Sequence, residues 1–196
     1  MQTLIFASSN ENKVKEIRHL LQEIVDVVSM KDAGIVQDIP EPHPTLQENA
    51  SAKSKTIFLL TGKDCFSEDT GLEVEALDGA PGVKTARFNE DGAFEGNNEK
   101  LLFMMQKQNN RKARFRTVIS LILEGKEYFF EGICEGRIAS EQAGNFGFGY
   151  DPLFIPEGSG ISFAQMSMEE KNKYSHRKKA IFNMLYFLSK QKGTSK

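Results

Sequence analysis

Glu68 and Asp69, two adjacent carboxylates followed by a hydroxyl and a glycine in Ser67-Glu68-Asp69-Thr70-Gly71, are the residues of this chain whose order points most directly to chemistry. They close a short apolar run, Cys65-Phe66, and lead on to Gly79-Ala80-Pro81-Gly82. A strand that ends in acids delivers them to the edge of a sheet, where α/β proteins place ligands. The hydroxyl and glycine that follow leave room for a metal-bound phosphate to approach the backbone. A solvated acidic turn has the same composition, so the other fragments of the chain decide between the two readings.

Ser8-Ser9-Asn10-Glu11-Asn12-Lys13 joins an apolar run to an amphipathic one. Free N–H groups and the dipole at a helix start favour an anion there, and Lys13 adds a mobile positive charge; an ordinary N-cap followed by a surface lysine fits equally. No G-x-x-x-x-G-K-[ST] occurs, which argues against a P-loop ATPase or GTPase. Glu41 stands in Pro40-Glu41-Pro42, a stiff setting that fixes the direction of its acid. Glu48-Asn49-Ala50-Ser51-Ala52-Lys53 follows, and a helix-surface pair of Glu48 with Lys53 competes with a ligand-binding role. Asp69 with Glu41, with or without Glu68, would be enough for magnesium, which completes its shell with water and phosphate oxygens.

Further on, Gly144-Asn145-Phe146-Gly147-Phe148-Gly149-Tyr150-Asp151-Pro152 alternates glycine with aromatics. Aromatic faces stack on nucleobases, glycines let the backbone reach base edges, and Asp151 can accept from a ring N–H; a tight loop whose rings plug the core is the competing reading. In Glu169-Glu170-Lys171-Asn172-Lys173-Tyr174-Ser175-His176-Arg177, Ser175 caps a last helix and two cations open it, against the helix dipole. Lys171 and Arg177 suit an exocyclic purine oxygen, and a solvated charge run is the alternative. His19 and His43 read as surface residues.

The elements that must position these residues follow from hydrophobic periodicity. Thr3 to Ala7 reads as a buried strand, and Val14, Ile17, Leu20, Leu21 and Ile24 share one face of the helix after it. Val25 to Ser29 is a second strand, which makes a βαβ unit. Asp38 to Pro44 holds three of the six prolines and is an extended loop; Leu46 to Leu60 is a helix. Leu72 and Val74 mark a brief strand, and Asn98 to Gln108 a helix. Arg114 to Leu123 and Tyr128 to Ala139 form a hairpin turning at Glu124-Gly125-Lys126-Glu127. Gln142 to Gly160 is a glycine-rich loop region, Ser175 to Leu188 a closing helix, and Ser189 to Lys196 a polar, frayed tail. We expect one α/β domain over 1–196, an elongated mixed β-sheet flanked by helices, in two lobes with a central nucleotide-binding cleft.

With 196 residues, 39% hydrophobic and 27% charged, the chain suits a soluble globular protein with a sizeable core. A formal net charge of −2 argues against a general binder of nucleic acid polymers. No run has the apolar length of a membrane span, and Cys65 and Cys134 read as buried free thiols. A cytoplasmic enzyme is the expectation.

Taken in order, the fragments resemble the inosine/xanthosine triphosphate pyrophosphatases, also called the HAM1-like or non-canonical purine nucleoside triphosphate pyrophosphatases, over nearly the whole chain. Ser8 to Lys13 is similar to that family's [ST]-x-N-x-x-K start, Glu48-Asn49-Ala50 with Lys53 to its E-N-A-x-x-K helix, and Ser67 to Arg87 to S-[DE]-D-[ST]-G-L…G-A-P-G…A-R. Phe148-Gly149-Tyr150-Asp151-Pro152 and Ser175-His176-Arg177 match F-G-Y-D-P and S-H-R. The resemblance implies that Asp69 is a magnesium ligand and the proton acceptor for the attacking water, with Glu41 as companion ligand. It implies that Ser8, Asn10, Lys13, Lys53, Thr70 and Arg87 hold the triphosphate. Phe148, Gly149, Tyr150, Asp151, Lys171, His176 and Arg177 would hold base and sugar. It further implies Mg2+ as cofactor, a homodimer, and hydrolysis of ITP, dITP and XTP to monophosphate and pyrophosphate, which clears deaminated purines from the nucleotide pool. Two departures stand out: Glu68-Asp69 where the family often has two aspartates, and Lys84-Thr85 where it more usually has Tyr-Ser. The rival readings are a Maf-like pyrophosphatase acting on modified pyrimidine nucleotides and a nucleotide-binding regulator that does not hydrolyse.

Overall fold

The computed structural model describes residues 2–22 and 24–193 and has a mixed α/β fold. Its strands are β1 (Gln2–Phe6), β2 (Val25–Ser29), β3 (Cys65–Val74), β4 (Pro81–Gly82), β5 (Lys112–Leu123), β6 (Lys126–Ile138) and β7 (Phe154–Pro156). The helices are α1 (Glu11–Leu21), α2 (Leu46–Thr61), α3 (Asn97–Met105), α4 (Met168–Tyr174) and α5 (His176–Gly193). Among the described residues these strands form one seven-stranded sheet of order β2-β1-β3-β5-β6-β7, with β4 on β3. β1 lies parallel to β2 and β3, as the βαβ pattern predicts, whereas β4 and β7 pair antiparallel.

Contacts divide the chain into two compact units. The first comprises Met1–Asp69, Thr117–Glu131 and Lys178–Lys196. In it the sheet is buried on both faces, which is why Leu4 to Ala7 is a continuous apolar run. Leu4 and Phe6 meet Val14, Ile17 and Leu21 of α1 and Ala180, Ile181 and Met184 of α5. Ile5 and Ala7, pointing the other way, meet Ile57 of α2 and Cys65 of β3. Asn10 caps α1, and Thr45 caps α2 by accepting from the Glu48 N–H. Ile24 does not join the α1 stripe as its spacing predicts; the helix stops at Leu21 and Ile24 is half-exposed beyond it.

The second unit comprises Thr70–Arg116 and Gly132–Arg177. Leu72, Leu101, Met105, Phe115, Tyr150, Leu153, Phe154 and Phe163 form its core. Several elements of both units differ from the sequence pattern. The acidic pair is not a turn after a short strand: β3 runs unbroken through Ser67 to Thr70, because Glu68 and Asp69 find cationic neighbours in α1 and α2. The hairpin turn is shorter than the four residues expected, since Glu124 and Gly125 alone turn the chain, both at positive φ (51° and 77°), as a type I′ turn requires. Within the glycine-rich region Phe154–Pro156 pairs with β6, and Met168–Tyr174 forms a capped short helix that lacks an apolar stripe. The tail expected to fray is helical to Gly193; residues 194–196 lie outside the described residues.

Candidate active site

In the first unit the alternation of β3 sorts its polar side chains by face. Cys65 Sγ reaches the Ser54 carbonyl at 3.2 Å and Ser67 Oγ donates to the Ala50 carbonyl at 2.5 Å, so this side faces α2. Asp69, two residues on, shares it: Lys53 Nζ lies 3.5 Å from Asp69 Oδ1 and also binds Glu41 Oε1. Phe66 faces α1, and Glu68 with it; Lys13 Nζ lies 3.2 Å from Glu68 Oε1. The adjacent acids therefore pair with different lysines on different helices. Glu48 does not pair with Lys53: its Oε2 accepts the Thr45 hydroxyl at 2.8 Å in the α2 cap.

Asn49, fully buried on α2, holds this cluster together. Its Oδ1 accepts from His43 N at 2.9 Å and its Nδ2 donates to His43 O at 3.2 Å, which fastens the proline loop carrying Glu41. Asn49 also hydrogen-bonds the Asp69 carboxylate. Burial, the largest influence, raises the Asp69 carboxyl above its ordinary value; Lys53 opposes it, Glu41 adds to it, and Lys13 and the Asn49 hydrogen bond oppose it. Ser8 and Asn10 stand at the β1–α1 crossing. Asn10 Oδ1 accepts from the N–H groups of Asn12 (3.0 Å) and Lys13 (3.2 Å), and Ser8 Oγ accepts from Asn10 N at 3.2 Å. That is the N-cap geometry, and it fixes the base from which Lys13 projects.

Among the described residues no group of three His, Cys, Asp or Glu side chains could cage a metal. Glu41 and Asp69, bridged by Lys53, offer two hard oxygen donors, which suits a divalent cation that keeps water and substrate oxygens in its shell.

The second unit carries the other group. Asp151 Oδ2 accepts from Phe148 N at 2.9 Å and from Lys171 Nζ at 2.7 Å, a nearly buried pair. Lys171 lies 5.3 Å from the Phe148 ring centroid, and the Arg177 guanidinium 5.7 Å from the same centroid. Arg177 is 2% exposed although it is the largest such side chain. His176 stacks on Phe115 at 4.7 Å and 16°. Tyr150 is buried, its hydroxyl donates to the Thr85 carbonyl at 3.0 Å, and burial pushes its phenol above the ordinary range. Tyr150 is thus core as well as motif. Gly149 has φ of 61°, and its carbonyl accepts from Asn98 Nδ2 at 3.1 Å.

The structure thus gathers Glu41, Lys53 and Asp69 into one set, with Lys13 on Glu68, and Phe148, Asp151, Lys171 and Arg177 into another. Thr70 and Arg87, expected with the phosphates, belong to the second unit, Arg87 exposed at the end of a 3-10 turn over Thr85–Arg87. Thr85, one of the departures, donates to the Gly82 carbonyl at 2.6 Å and accepts from Leu72 N at 2.8 Å; Lys84 pairs with Glu90. Asn49 was missed as a support, and so was Gly147, whose φ of 76° and missing Cβ leave room for the Asp151 carboxylate. Asn49 gave a signal, being an amide inside a helix between Glu48 and Ala50. Gly147 gave only its place in a glycine-rich loop.

The Ham1 family matches this sequence over residues 4–187. The dITP/XTP pyrophosphatase of Porphyromonas gingivalis is 50% identical over 190 residues, which cover 96% of this chain and 98% of that protein. That of Christiangramia forsetii is 46% identical over 188 residues, 95% and 99% of the two chains. The Ham1 protein of Staphylococcus aureus has a similar structure, with a TM-score of 0.86 at 33% identity, covering 97% of this chain and all of the other.

Proposed function

The chain belongs to the Ham1 family, and from that premise we propose that it hydrolyses purine nucleoside triphosphates with deaminated bases (ITP, dITP and XTP) to the monophosphate and pyrophosphate. The observation that carries this reading is the set of Glu41, Lys53 and Asp69 with Lys13 held by Glu68, carboxylates and ammonium groups in the proportions that a metal-bound triphosphate needs. The names of the relatives, dITP/XTP pyrophosphatases at 50% and 46% identity, support the substrate class.

Asp69 and Glu41 are the assigned magnesium ligands; magnesium, when bound, neutralises phosphate oxygens and orients the leaving pyrophosphate. Asp69 is also the proposed acceptor of the attacking water's proton, and burial raises its carboxyl above the ordinary value. Lys13 and Lys53 take up phosphate charge, with Ser8, Asn10, Thr70 and Arg87 as further triphosphate contacts. Phe148, Gly149, Tyr150, Asp151, Lys171, His176 and Arg177 are assigned to base and sugar. Donors of Arg177 or His176, or backbone N–H groups, meet the C6 oxygen of hypoxanthine or xanthine. Adenine would set its N6 amine against those donors and leave buried groups unpaired.

A magnesium-dependent homodimer at work in the cytoplasm as one two-lobed domain with a nucleotide cleft completes the proposal. Among the described residues no helix is long and apolar enough to cross a membrane. Product analysis with ITP, XTP, GTP, ATP and dTTP, with magnesium and with EDTA, tests the reading. Monophosphate and pyrophosphate from ITP and XTP, lost with EDTA, are expected. Diphosphate and phosphate would mean another bond and another mechanism. Preference for dTTP would favour the pyrimidine rival, and binding of ITP without turnover the regulator.

A further inference from the structure

We propose that Glu68 is a positioning residue for Lys13, aiming its ammonium at the substrate's phosphates, and that it does not ligate the metal; the proposal rests on the functional reading above and adds a role to it.

Three observations carry it. The alternation of β3 sends Glu68 to the α1 side, with Phe66, and Asp69 to the α2 side, with Ser67. Neighbouring residues of an extended strand point to opposite faces, so Glu68 does not add a third carboxylate to Glu41 and Asp69. Next, the Glu68 side chain is 0% exposed and Lys13 Nζ stands 3.2 Å from its Oε1. A carboxylate held so deep needs a cation, and the structure supplies this one. Lastly, Lys13 is fixed at its root and guided near its tip. Asn10 Oδ1 accepts from the Lys13 N–H at 3.2 Å in the α1 cap, and the four-carbon stem then runs to Glu68. An ammonium has three donors, so a bond to Glu68 leaves others for phosphate oxygens. A lysine without such a guide would lose rotamer freedom on binding each substrate.

The test is a double-mutant cycle on binding as well as turnover. Kd for the α,β-methylene analogue of inosine triphosphate, with magnesium, is measured by calorimetry for the unmodified protein, Lys13→Met, Glu68→Gln and the double variant. Each single change is expected to weaken binding about tenfold or more, and the double variant should match Lys13→Met within about twofold, because Glu68 has nothing left to position. KM for ITP should rise in parallel, with a smaller effect on kcat. Additive losses would overturn the proposal. So would a tenfold weaker affinity of Glu68→Gln for Mn2+, read by electron paramagnetic resonance, since that would make Glu68 a ligand. Should Glu68→Gln fail to fold, Glu68→Asp keeps the charge one methylene shorter. It should bind within a few-fold of the unmodified protein, and lose that advantage once Lys13→Met is added. Additivity in an enzyme that does hydrolyse ITP refutes this inference alone, whereas an unmodified protein that neither binds nor hydrolyses ITP refutes the functional reading and the inference with it.

Discussion

Replacing Gly147 by alanine separates the geometry of the Asp151 cluster from the mere flexibility of its loop. Gly147 has φ of 76°, and a Cβ built there would overlap Asp151 Oδ2 and stand 2.9 Å from its Cγ. The carboxylate would have to withdraw from Lys171 Nζ, now at 2.7 Å, and from Phe148 N, now at 2.9 Å. The left-handed backbone costs alanine about 1–2 kcal/mol, and losing a charged hydrogen bond about 1.5–3 kcal/mol. The sum is about 2.5–5 kcal/mol, and at about 2–4 °C per kcal/mol for a chain of this size it lowers Tm by about 5–20 °C. Gly149 in the same loop has φ of 61° but nothing within 4 Å of a built Cβ, so Gly149→Ala should show the backbone cost alone. Calorimetric melting of both variants measures the difference, and kcat/KM for ITP in Gly147→Ala should fall about 10- to 150-fold. Equal Tm losses in the two variants, with ITP turnover intact in Gly147→Ala, would refute the reasoning.

Three further changes test other parts of the structure. Asp69→Asn should abolish ITP hydrolysis yet melt above the unmodified protein at pH 8. A carboxyl whose folded value is raised stabilises the fold below its unfolded value, near 3.8, and loses that contribution as pH rises through the folded value, so the gap in Tm should close toward pH 4; a variant less stable at pH 8 would contradict this. Asn49→Ala removes both ties to His43 and the bond to Asp69, and should cost about 2–4 kcal/mol in urea unfolding and reduce turnover; an unchanged urea midpoint would count against Asn49 as the tie. Arg177→Lys keeps the charge but not the planar fork, so kcat/KM for ITP should drop about tenfold or more and the ITP-to-ATP ratio should narrow; unchanged efficiency and ratio would remove Arg177 from base recognition.

The sequence by itself determined the class of fold, because β1, α1 and β2 are written in plain periodicity and, Ile24 aside, α1 turns the stripe its spacing names to the core. It also determined which short fragments belong together. Residue types at short spacing are local information, so the cap at Asn10 and the turn at Gly125 were legible. What only the tertiary structure decided is which charge meets which. Lys53 could have paired with Glu48 one turn away; it meets Glu41 and Asp69 instead, because Thr45 takes Glu48 and the proline loop is tied back to Asn49. Glu68 and Asp69 read as one acidic turn because neighbouring residues look equivalent along a chain. Inside a strand they are opposites, and helices packed on both faces of the sheet give each acid its own lysine. The physical reason is burial: a buried carboxylate must be paired, and its partner comes from whichever element packs over that face, a fact of three-dimensional packing that no local pattern records.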